Sequence, residues 1–464
     1  MILRASWMVP IASSFIKDGA VLVRGGVIED FGPAAWLLGK YPTEKVRCFE
    51  GAALLPGLVN VHTHLELTVL QGLVEPTEFW PWLRELVRIK YQVLSPEDLY
   101  WSARLGAVEC LKSGTTTIGE AMDTGASLDA MIEAGLRGVA YQEVFGKDPR
   151  EANQAMESLE QKLAVWVKKL RDCPASASVS QPAAAGERIR LGISPHSPYI
   201  ASPSLLRQSS EYARRNGFPV SIHAAESEAE QLFIKDGIGP IAEYYREQNV
   251  PWSATGVSAI RYLSHCGYLN HETQLVHCLQ MEPEDFELLS RSGASVAHCP
   301  SSNLKLHPTV MNLSRMREVG IKVGLGSDSL ASNDSLDLWK EMRLAQFQGQ
   351  RILDDSKGKG KPSAKNVEDL LRMATLGGAE SLGLQSMIGS IEKGKAADLI
   401  AVDLTHAGGF TNPTGELVFS ARTEDVLFTM VGGQTLYENA RAQSLDEETI
   451  RKKAAATRDR IKPA

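Results

Sequence analysis

Short apolar runs alternate with longer amphipathic stretches through the middle of the chain, roughly from residue 57 to residue 388. This alternation is typical of repeated βα units, which place their strands side by side in one parallel sheet. Eight runs qualify as strands, and eight βα units are the number that a closed (β/α)8 TIM barrel requires. The predicted strands are Val59–His64, Thr115–Glu120, Gly138–Phe145, Ile189–Pro195, Pro219–Ala225, Gln274–Cys278, Ser295–Cys299 and Ile321–Ser327.

The pattern differs at both ends of the chain, where β-type runs are separated by glycine turns. Ala20–Arg24 and Val27–Gly32 flank one such turn, and Ala397–Val402 and Val426–Val431 are the clearest later strands. We expect the two ends to join in one small β-sandwich domain beside the barrel. The predicted units are 1–56 and 389–445 for the β-sandwich domain, 57–388 for the barrel and 446–464 for a charged helical tail.

The sequence also predicts helices and surface insertions within the barrel region. Ser95 to Asp98 form a capping box with a proline at the first helical position. Glu151–Arg171 carries apolar residues on one face, which predicts a helix. Residues 173–186 and 356–365 are rich in small or polar residues and are predicted to be surface insertions.

Composition narrows the classes of partner that the chain can have. The formal net charge is −7, so the chain lacks the basic surface that nucleic acids or anionic membranes attract. Six cysteines without a CxxC pair, no signal peptide and no apolar run of membrane length indicate a cytoplasmic protein. The partner we expect is a small molecule, and the sequence leaves homo-oligomer formation open.

Metal-binding side chains collect at the carboxyl ends of the predicted strands, which form the active-site face of such a barrel. Strand one carries His62 and His64, which point to the same face because residues i and i+2 of a strand do so. His223 ends strand five, and Asp328 follows strand eight. Imidazole and carboxylate groups are common Zn²⁺ ligands. The predicted metal ligands are therefore His62, His64, His223 and Asp328.

Other histidines also lie at strand ends. His196 follows strand four, His277 ends strand six and His298 ends strand seven. For His298, a site role and a purely structural hydrogen bond remain equal alternatives. The histidines outside this pattern are interpreted as surface or packing residues; they are His265, His271, His307 and His406.

Five motifs resemble those of the amidohydrolase superfamily, in particular its mononuclear deaminase and chlorohydrolase branch. Pro56–His64 is similar to the strand-one signature, and Gly326–Ser329 to the strand-eight aspartate motif. Ser221–Glu226 resembles the branch's H-x-x-E motif, His298–Asn303 its H-N-P-x-S-N run, and Gly389–Asp398 the return into the β domain. The resemblance covers nearly the whole chain.

The resemblance implies a role for each candidate residue. Glu226 matches the proton shuttle, His277 the residue that orients the attacking water, and His196 a substrate contact. Asp328 matches both a ligand and a proton acceptor. The binuclear branch has a lysine at the end of strand four, where Ile193–His196 has none, so one divalent ion is expected, with Zn²⁺ preferred and Fe²⁺ the alternative.

Two further substrate contacts are predicted near strand one. Trp82, with Trp80, lies in what we interpret as the loop after strand one, where a tryptophan pair would wall a ring-shaped substrate. The same pair could equally pack the loop onto the barrel. Glu66 is expected either to bind substrate or to cap the loop.

The implied reaction is hydrolytic deamination of an amino-purine nucleoside or a related heterocycle, with release of ammonia. His64–Thr68, Glu143–Gly146 and Ser327–Asn333 resemble most closely the aminodeoxyfutalosine deaminases. The adenosylhomocysteine and methylthioadenosine deaminases typically carry a ribose-binding glutamate after strand one, and the corresponding stretch Arg88–Gln92 has none. Two alternatives stay open: a hydrolase that cleaves an amide C–N or a C–Cl bond, and an inactive barrel scaffold.

Overall fold

The computed structural model describes residues 1–75, 78–173, 188–355, 365–407 and 412–462. The predicted insertions at 173–186 and 356–365 lie almost wholly outside these residues. None of the described helices is long and apolar enough to cross a membrane.

The central part of the chain forms a parallel eight-stranded sheet whose strands follow one another in chain order. A bridge between Thr63 and Asp328 joins the last strand to the first, and this contact closes the barrel as predicted. All eight predicted strands are present, with ends that differ by up to two residues. Their bounds are β5 Leu58–Thr63, β6 Thr115–Met122, β7 Arg137–Glu143, β8 Ile189–Ser194, β9 Val220–Ala224, β10 Thr273–His277, β11 Ser295–His298 and β12 Lys322–Leu325.

Helices connect and cover the barrel strands. The capping box at Ser95 is present, since its hydroxyl accepts a hydrogen bond from the backbone N–H of Asp98 and the Asp98 carboxylate accepts one from Ser95. The described α-helices of this region are Phe79–Arg88, Pro96–Lys112, Ala126–Ala134, Ala152–Asp172, Pro203–Asn216, Glu228–Asp236, Pro240–Glu247, Ala259–His265, Pro283–Ser292, Pro300–Leu306, Leu313–Glu318, Leu338–Asp355, Lys365–Met373 and Leu376–Ser381.

One segment differs from its sequence interpretation. Residues 79–83, which the sequence predicts to lie in the loop after strand one, form the first half of a helix, Phe79–Arg88, that begins after Glu78. Pro81 falls in the first turn, where its missing N–H costs no intrahelical hydrogen bond. Aromatic residues have low intrinsic helix propensity, and here burial of the Phe79, Trp80 and Trp82 side chains overrides it.

The two chain ends build one small β domain, as predicted. Its strands are β1 Ile2–Met8, β2 Ile16–Arg24, β3 Val27–Pro33, β4 Val46–Pro56, β13 Leu399–Asp403, β14 Val426–Val431, β15 Gln434–Glu438 and β16 Arg441–Ala442. They form one mixed sheet in the order β16-β15-β14-β13-β4-β1-β2-β3. Strands from both chain ends share an apolar cluster, in which the Phe49 and Phe428 rings lie 5.3 Å apart.

Three more helices accompany the terminal segments. Ala34–Lys40 packs on β2 and β3, Pro413–Phe419 precedes β14, and Glu447–Ile461 ends the described chain. The last of these packs on helix Pro96–Lys112, where Thr457 donates a hydrogen bond to Asp98. The boundaries assigned to the predicted units stay a prediction.

Candidate metal and active site

The carboxyl ends of the barrel strands bring the four predicted metal ligands together. His62, His64, His223 and Asp328 each place one possible ligand atom within 4.8 Å of the others. Nε2 of His62 and Nε2 of His64 lie 3.5 and 3.6 Å from the same Asp328 oxygen, Oδ1. All four residues are buried, so the group is shielded from bulk water.

The closure between β5 and β12 fixes the positions of two of these ligands. Asn60 and Ser327 exchange two hydrogen bonds, of 2.7 and 2.9 Å. A side chain at position 326 would place its Cβ 2.9 Å from Cβ of His62, so only glycine allows this close approach. Asp328 then adopts a φ of 61°, a strained value that aims its carboxylate at the histidines.

Hydrogen bonds orient the ligands so that each leaves one atom for an ion. The Nδ1–H of His223 donates to the backbone carbonyl of His196 at 3.0 Å, which leaves Nε2 unprotonated. Oδ2 of Asp328 accepts from the hydroxyls of Ser302 and Ser332 at 2.6 and 2.7 Å, so Oδ1 remains. Nε2 of His62 is buried without a hydrogen-bond partner among the described residues. A divalent ion would satisfy that atom, and this donor set fits one.

The protonation states suit metal binding. Burial, assisted by the charge of His62, lowers the pKa of His64 to about 4. Burial also holds the pKa of His223 well below its usual range. For Asp328, burial alone would raise the pKa, but the adjacent histidines, His62 foremost, outweigh it and lower the pKa. At neutral pH His64 and His223 are therefore neutral imidazoles and Asp328 is a carboxylate, as metal ligation requires.

Glu226 and His277 lie directly beside the metal ligands. The Oδ1 atom of Asn303 lies 2.8 Å from Nδ1 of His277, which holds the proton on that nitrogen. Nε2 of His277 thus keeps its lone pair and lies 3.5 Å from Oε1 of Glu226. Burial raises the pKa of Glu226, but its interactions with His277 and His307 outweigh it, and the net direction is downward. Glu226 can therefore accept a proton at neutral pH.

A second buried carboxyl group holds the backbone at Glu226. Glu230 accepts hydrogen bonds from the backbone N–H of Ala225 at 2.9 Å and of Glu226 at 2.7 Å. Ala225 has a φ of 51°, so this turn is strained and needs these bonds. Burial raises the pKa of Glu230 to about 8.

The structure corrects the interpretation of His307 as a surface or packing residue. Its Nε2 lies 3.3 Å from Oε1 of Glu226, and the side chain is buried. His307 follows helix Pro300–Leu306, which also carries Asn303. The sequence holds no strand-end signal for it, because a helix rather than a strand brings it to the site. His265, His271 and His406 are exposed, in agreement with their interpretation.

A cavity of about 580 Å³ opens onto the site. Its wall includes most of the predicted site residues, namely His64, His196, His223, Glu226, His277, Asp328 and Trp82. Trp80 lies outside this wall and packs against Tyr199 and Tyr244. His298 is also outside it, with its Nδ1 3.4 Å from the side-chain amide of Asn303, and both alternatives for this residue stay predictions.

Glu66 does not line the cavity. Its carboxylate accepts hydrogen bonds from the backbone N–H and the hydroxyl of Thr124, at 3.1 and 2.7 Å. This is the loop-capping alternative that the sequence allowed, and a contact between Glu66 and substrate stays a prediction.

Lys90 lies in the cavity wall, within the stretch where a ribose-binding glutamate would lie. Its Nζ is 3.6 to 3.9 Å from carboxylate oxygens of Glu66, Asp123 and Glu143. Burial lowers the pKa of Lys90, but these carboxylates outweigh it and raise the pKa above its ordinary value. Glu143 also lies 2.7 Å from Nδ1 of His196, so it joins this cluster to the metal end of the cavity.

Fold and site together define a barrel enzyme that uses a metal ion for hydrolysis. The comparisons give the family: residues 53–436 match the model of the amidohydrolase family, so the chain belongs to that family. It is an enzyme of the hydrolase class that acts on C–N bonds other than peptide bonds.

Three relatives illustrate the similarity. The chain is 31% identical to a 5-methylthioadenosine/S-adenosylhomocysteine deaminase of Syntrophobacter fumaroxidans, over 96% of this chain and 94% of the relative. An adenosine deaminase of Xanthomonas campestris, solved with bound zinc, is similar in structure, with 25% identity, a TM-score of 0.81 and coverage of 99% and 98%. The Helicobacter pylori aminofutalosine deaminase shares the fold, with 21% identity, a TM-score of 0.75 and coverage of 94% and 100%.

Proposed function

We propose that the protein is a hydrolytic deaminase of a 6-aminopurine nucleoside or a related amino heterocycle. The observation that carries the proposal is one constellation in one cavity. Four metal ligands lie within 4.8 Å of one another, and Glu226 and His277 line the cavity beside them. A metal hydrolase needs these parts: an ion site, a proton carrier and a group that orients water.

The catalytic roles follow from the hydrogen bonds of each residue. His62, His64, His223 and Asp328 would hold one divalent ion, for which Zn²⁺ is our choice. When bound, the ion supplies a water molecule with a pKa lowered toward ~7 as the nucleophile. His277 accepts a hydrogen bond from the attacking water at Nε2. Glu226 takes one proton from the water and delivers it to the ring nitrogen, where it stays in the product. Asp328 accepts the second proton, which Glu226 passes on to the amino group so that it leaves as ammonia.

The wall of the cavity supports a ring-shaped substrate with a further substituent. Trp82 and Phe79 have ring centroids 6.4 Å apart and both line the cavity, so they offer an apolar face to a purine. His196, held by Glu143, is the adjacent polar contact.

Two substrates of this class are favoured by different observations. The motifs at His64–Thr68 and Ser327–Asn333 favour an aminodeoxyfutalosine-like nucleoside. The similarity of the chain to 5-methylthioadenosine/S-adenosylhomocysteine deaminases favours methylthioadenosine or adenosylhomocysteine. Our first choice remains the aminodeoxyfutalosine type, because Lys90 and Tyr91 occupy the stretch where those relatives' group typically carries a glutamate.

The test is metal analysis of the purified protein followed by an ammonia-release assay on 6-aminopurine nucleosides. We expect about one equivalent of a divalent ion per chain and release of ammonia from at least one nucleoside. The matched control is the His64→Ala variant, which should lose the ion and the activity together. Chloride release from chlorinated rings without ammonia release from any nucleoside would contradict the proposal, as would a purified wild type that binds no divalent ion.

A further inference from the structure

His307 contacts the side chain of Glu226 from outside the described cavity wall. Its Nε2 atom lies 3.3 Å from Oε1 of Glu226, and its side chain is buried. An ionised carboxylate only accepts hydrogen bonds. The contact is therefore a hydrogen bond that the Nε2–H of His307 donates to the Glu226 carboxylate.

The same oxygen of Glu226 also faces His277, at 3.5 Å. Because the Nδ1–H of His277 donates to Asn303 at 2.8 Å, its Nε2 turns a lone pair toward Oε1. Two lone pairs that face each other repel, so this contact by itself would turn the carboxylate away. The N–H of His307 offsets the repulsion, since it places a proton against the oxygen that His277 cannot supply with one.

Tyr199 is a further polar group beside this carboxylate. Burial, assisted by the charge of Glu226, raises the pKa of Tyr199 well above its usual range, so its hydroxyl keeps its proton at neutral pH. Tyr199 lines the cavity, where a ligand can reach it. His307 does not belong to the described wall, so its bond to Glu226 is shielded from an incoming substrate.

The imidazole of His307 is itself held in place. Its backbone N–H donates to the carbonyl of Asn303 at 2.9 Å, which anchors the residue at the end of helix Pro300–Leu306. The Phe79 ring packs against the imidazole, with ring centroids 5.1 Å apart. A buried ring with these contacts is fixed before a substrate arrives.

Helix Pro300–Leu306 and the residue that follows it support three groups around the metal site. Each of the three receives one side-chain contact from this segment. The pairs are Ser302 with Asp328 at 2.6 Å, Asn303 with His277 at 2.8 Å and His307 with Glu226 at 3.3 Å. The first two contacts orient a metal ligand and the residue beside the attacking water, and the third reaches the proton carrier.

A glutamate carboxylate needs such a partner because it does not orient itself. The last torsion of the side chain is broad and roughly two-fold, so the carboxylate turns easily unless a neighbour holds it. Glu230 holds only the backbone of Glu226. An imidazole N–H suits a carboxylate that gains and loses protons, because it lacks the permanent charge by which an arginine would keep the carboxylate ionised.

We propose that His307 is a positioning residue, whose hydrogen bond to Oε1 holds the Glu226 carboxylate in the orientation in which it transfers protons. The inference rests on the proposed function, in which Glu226 is the proton carrier. Within the described residues, His307 lies outside both the cavity wall and the four-ligand group, so it acts through Glu226. Its loss therefore slows the chemical step and leaves substrate binding and the ion unchanged.

The test compares two variants of the full-length enzyme with its ion bound. His307→Leu removes the donor at similar volume, and His307→Gln keeps an N–H at a similar reach. We expect kcat in His307→Leu to fall roughly 10- to 100-fold, the range of one hydrogen bond to a charged group, with KM and metal content unchanged. His307→Gln should recover most of kcat. Thermal unfolding of both variants checks that the fold is intact.

Two kinetic results would overturn the inference. One is an unchanged kcat in His307→Leu. The other is a loss of kcat together with a higher KM and a lost ion that His307→Gln does not recover, because that pattern means general structural support.

Crystal structures of the wild type and both variants at one pH separate this inference from the proposed function. We expect the Glu226 carboxylate to turn away from its position in His307→Leu and to keep it in His307→Gln. That result supports the positioning role even if no nucleoside releases ammonia. A carboxylate that keeps its place in His307→Leu, held by Tyr199, rejects the role even if the enzyme is a deaminase.

Discussion

The metal end of the cavity and its distal wall are built in opposite ways. At the metal end, ligand and catalytic groups are held by buried partners, as Ser302 and Ser332 hold Asp328 and as Glu230 holds the backbone of Glu226. In the distal wall, by which we mean Trp82, Lys147 and Tyr244, two polar groups are less well satisfied: the indole N–H of Trp82 has no partner among the described residues, and Lys147 donates only to the Tyr244 hydroxyl.

From this difference we infer that the metal end carries out the reaction and that the distal wall selects the substrate. Groups that are fixed before the substrate arrives need no reorganisation during the reaction, which is what catalysis requires. Groups without partners gain them only when a ligand binds, so they favour the ligand that supplies the missing partner. Substitutions at the metal end should therefore affect all substrates, and substitutions in the wall should affect some substrates more than others.

The largest effect is expected from Asp328→Asn. The substitution removes a metal ligand and a proton acceptor, and its amide would place a donor against the hydroxyls of Ser302 and Ser332 or against His62 and His64. We expect kcat/KM to fall by about 10³-fold or more on every substrate, together with loss of bound ion. Elemental analysis and steady-state rates measure both. Full metal content and full activity in this variant would contradict the ligand assignment.

Glu226→Gln should lower kcat nearly as strongly but leave the ion in place. Glu226 lines the cavity outside the four-ligand group, so its loss removes a proton carrier and not a ligand. General acid–base groups contribute about 10²–10⁴-fold, which is the expected loss. Metal analysis of the variant is the control. If the variant lost the ion together with its activity, Glu226 would be needed for metal binding as well as for proton transfer.

The metal end could be predicted from the sequence because its residues lie at strand ends. The parallel barrel gathers those ends at one face, so His62, His223 and Asp328 could be placed together from the spacing of apolar runs alone. His307 could not, because it reaches Glu226 from the end of a helix. A strand-end pattern holds no information on such a residue.

Most of the distal wall could not be predicted from the sequence. The sequence indicates Trp82 as part of an aromatic wall, yet it predicts a loop for that segment, because aromatic residues and a proline obscure the helical pattern. Lys147 and Tyr244 are 97 positions apart and meet only through tertiary packing. No local periodicity encodes a contact of that kind.

Trp82→Ala should have a moderate effect confined to binding. The side chain is buried in the wall, where the Phe79 ring lies 6.4 Å away, and it contacts none of the metal ligands through its ring. We expect KM to rise by about tenfold or more, because one aromatic face is lost, with kcat changed much less. Trp82→Phe is the matched control and should recover most of the loss. A drop in kcat at unchanged KM would show instead that Trp82 acts in the chemical reaction and not in substrate binding.

The smallest effect is expected at Glu341, which ties together the two segments behind Asp328. Its carboxyl oxygens accept hydrogen bonds of 2.9 Å each from the backbone N–H of Ser301 and from the Asn333 amide. These residues adjoin Ser302 and Ser332, the two hydroxyl donors to Asp328. Burial raises the pKa of Glu341 to about 7, although the hydrogen bonds of Ser301 oppose the shift.

The sign of the pH dependence follows from that raised pKa. The folded protein holds the Glu341 proton more tightly than the unfolded chain, so the stability it contributes is complete below the unfolded pKa of ~4.3 and is lost as the pH rises through about 7. In Glu341→Gln this contribution is absent, and Tm should depend less on pH. The difference in Tm between wild type and variant should change by about 2–4 °C between pH 5 and pH 8, measured by thermal unfolding. A Tm difference between wild type and variant that is constant over this range would show that Glu341 is ionised in the folded protein. The surroundings of Glu341 behind Asp328 would then be as polar as the distal wall.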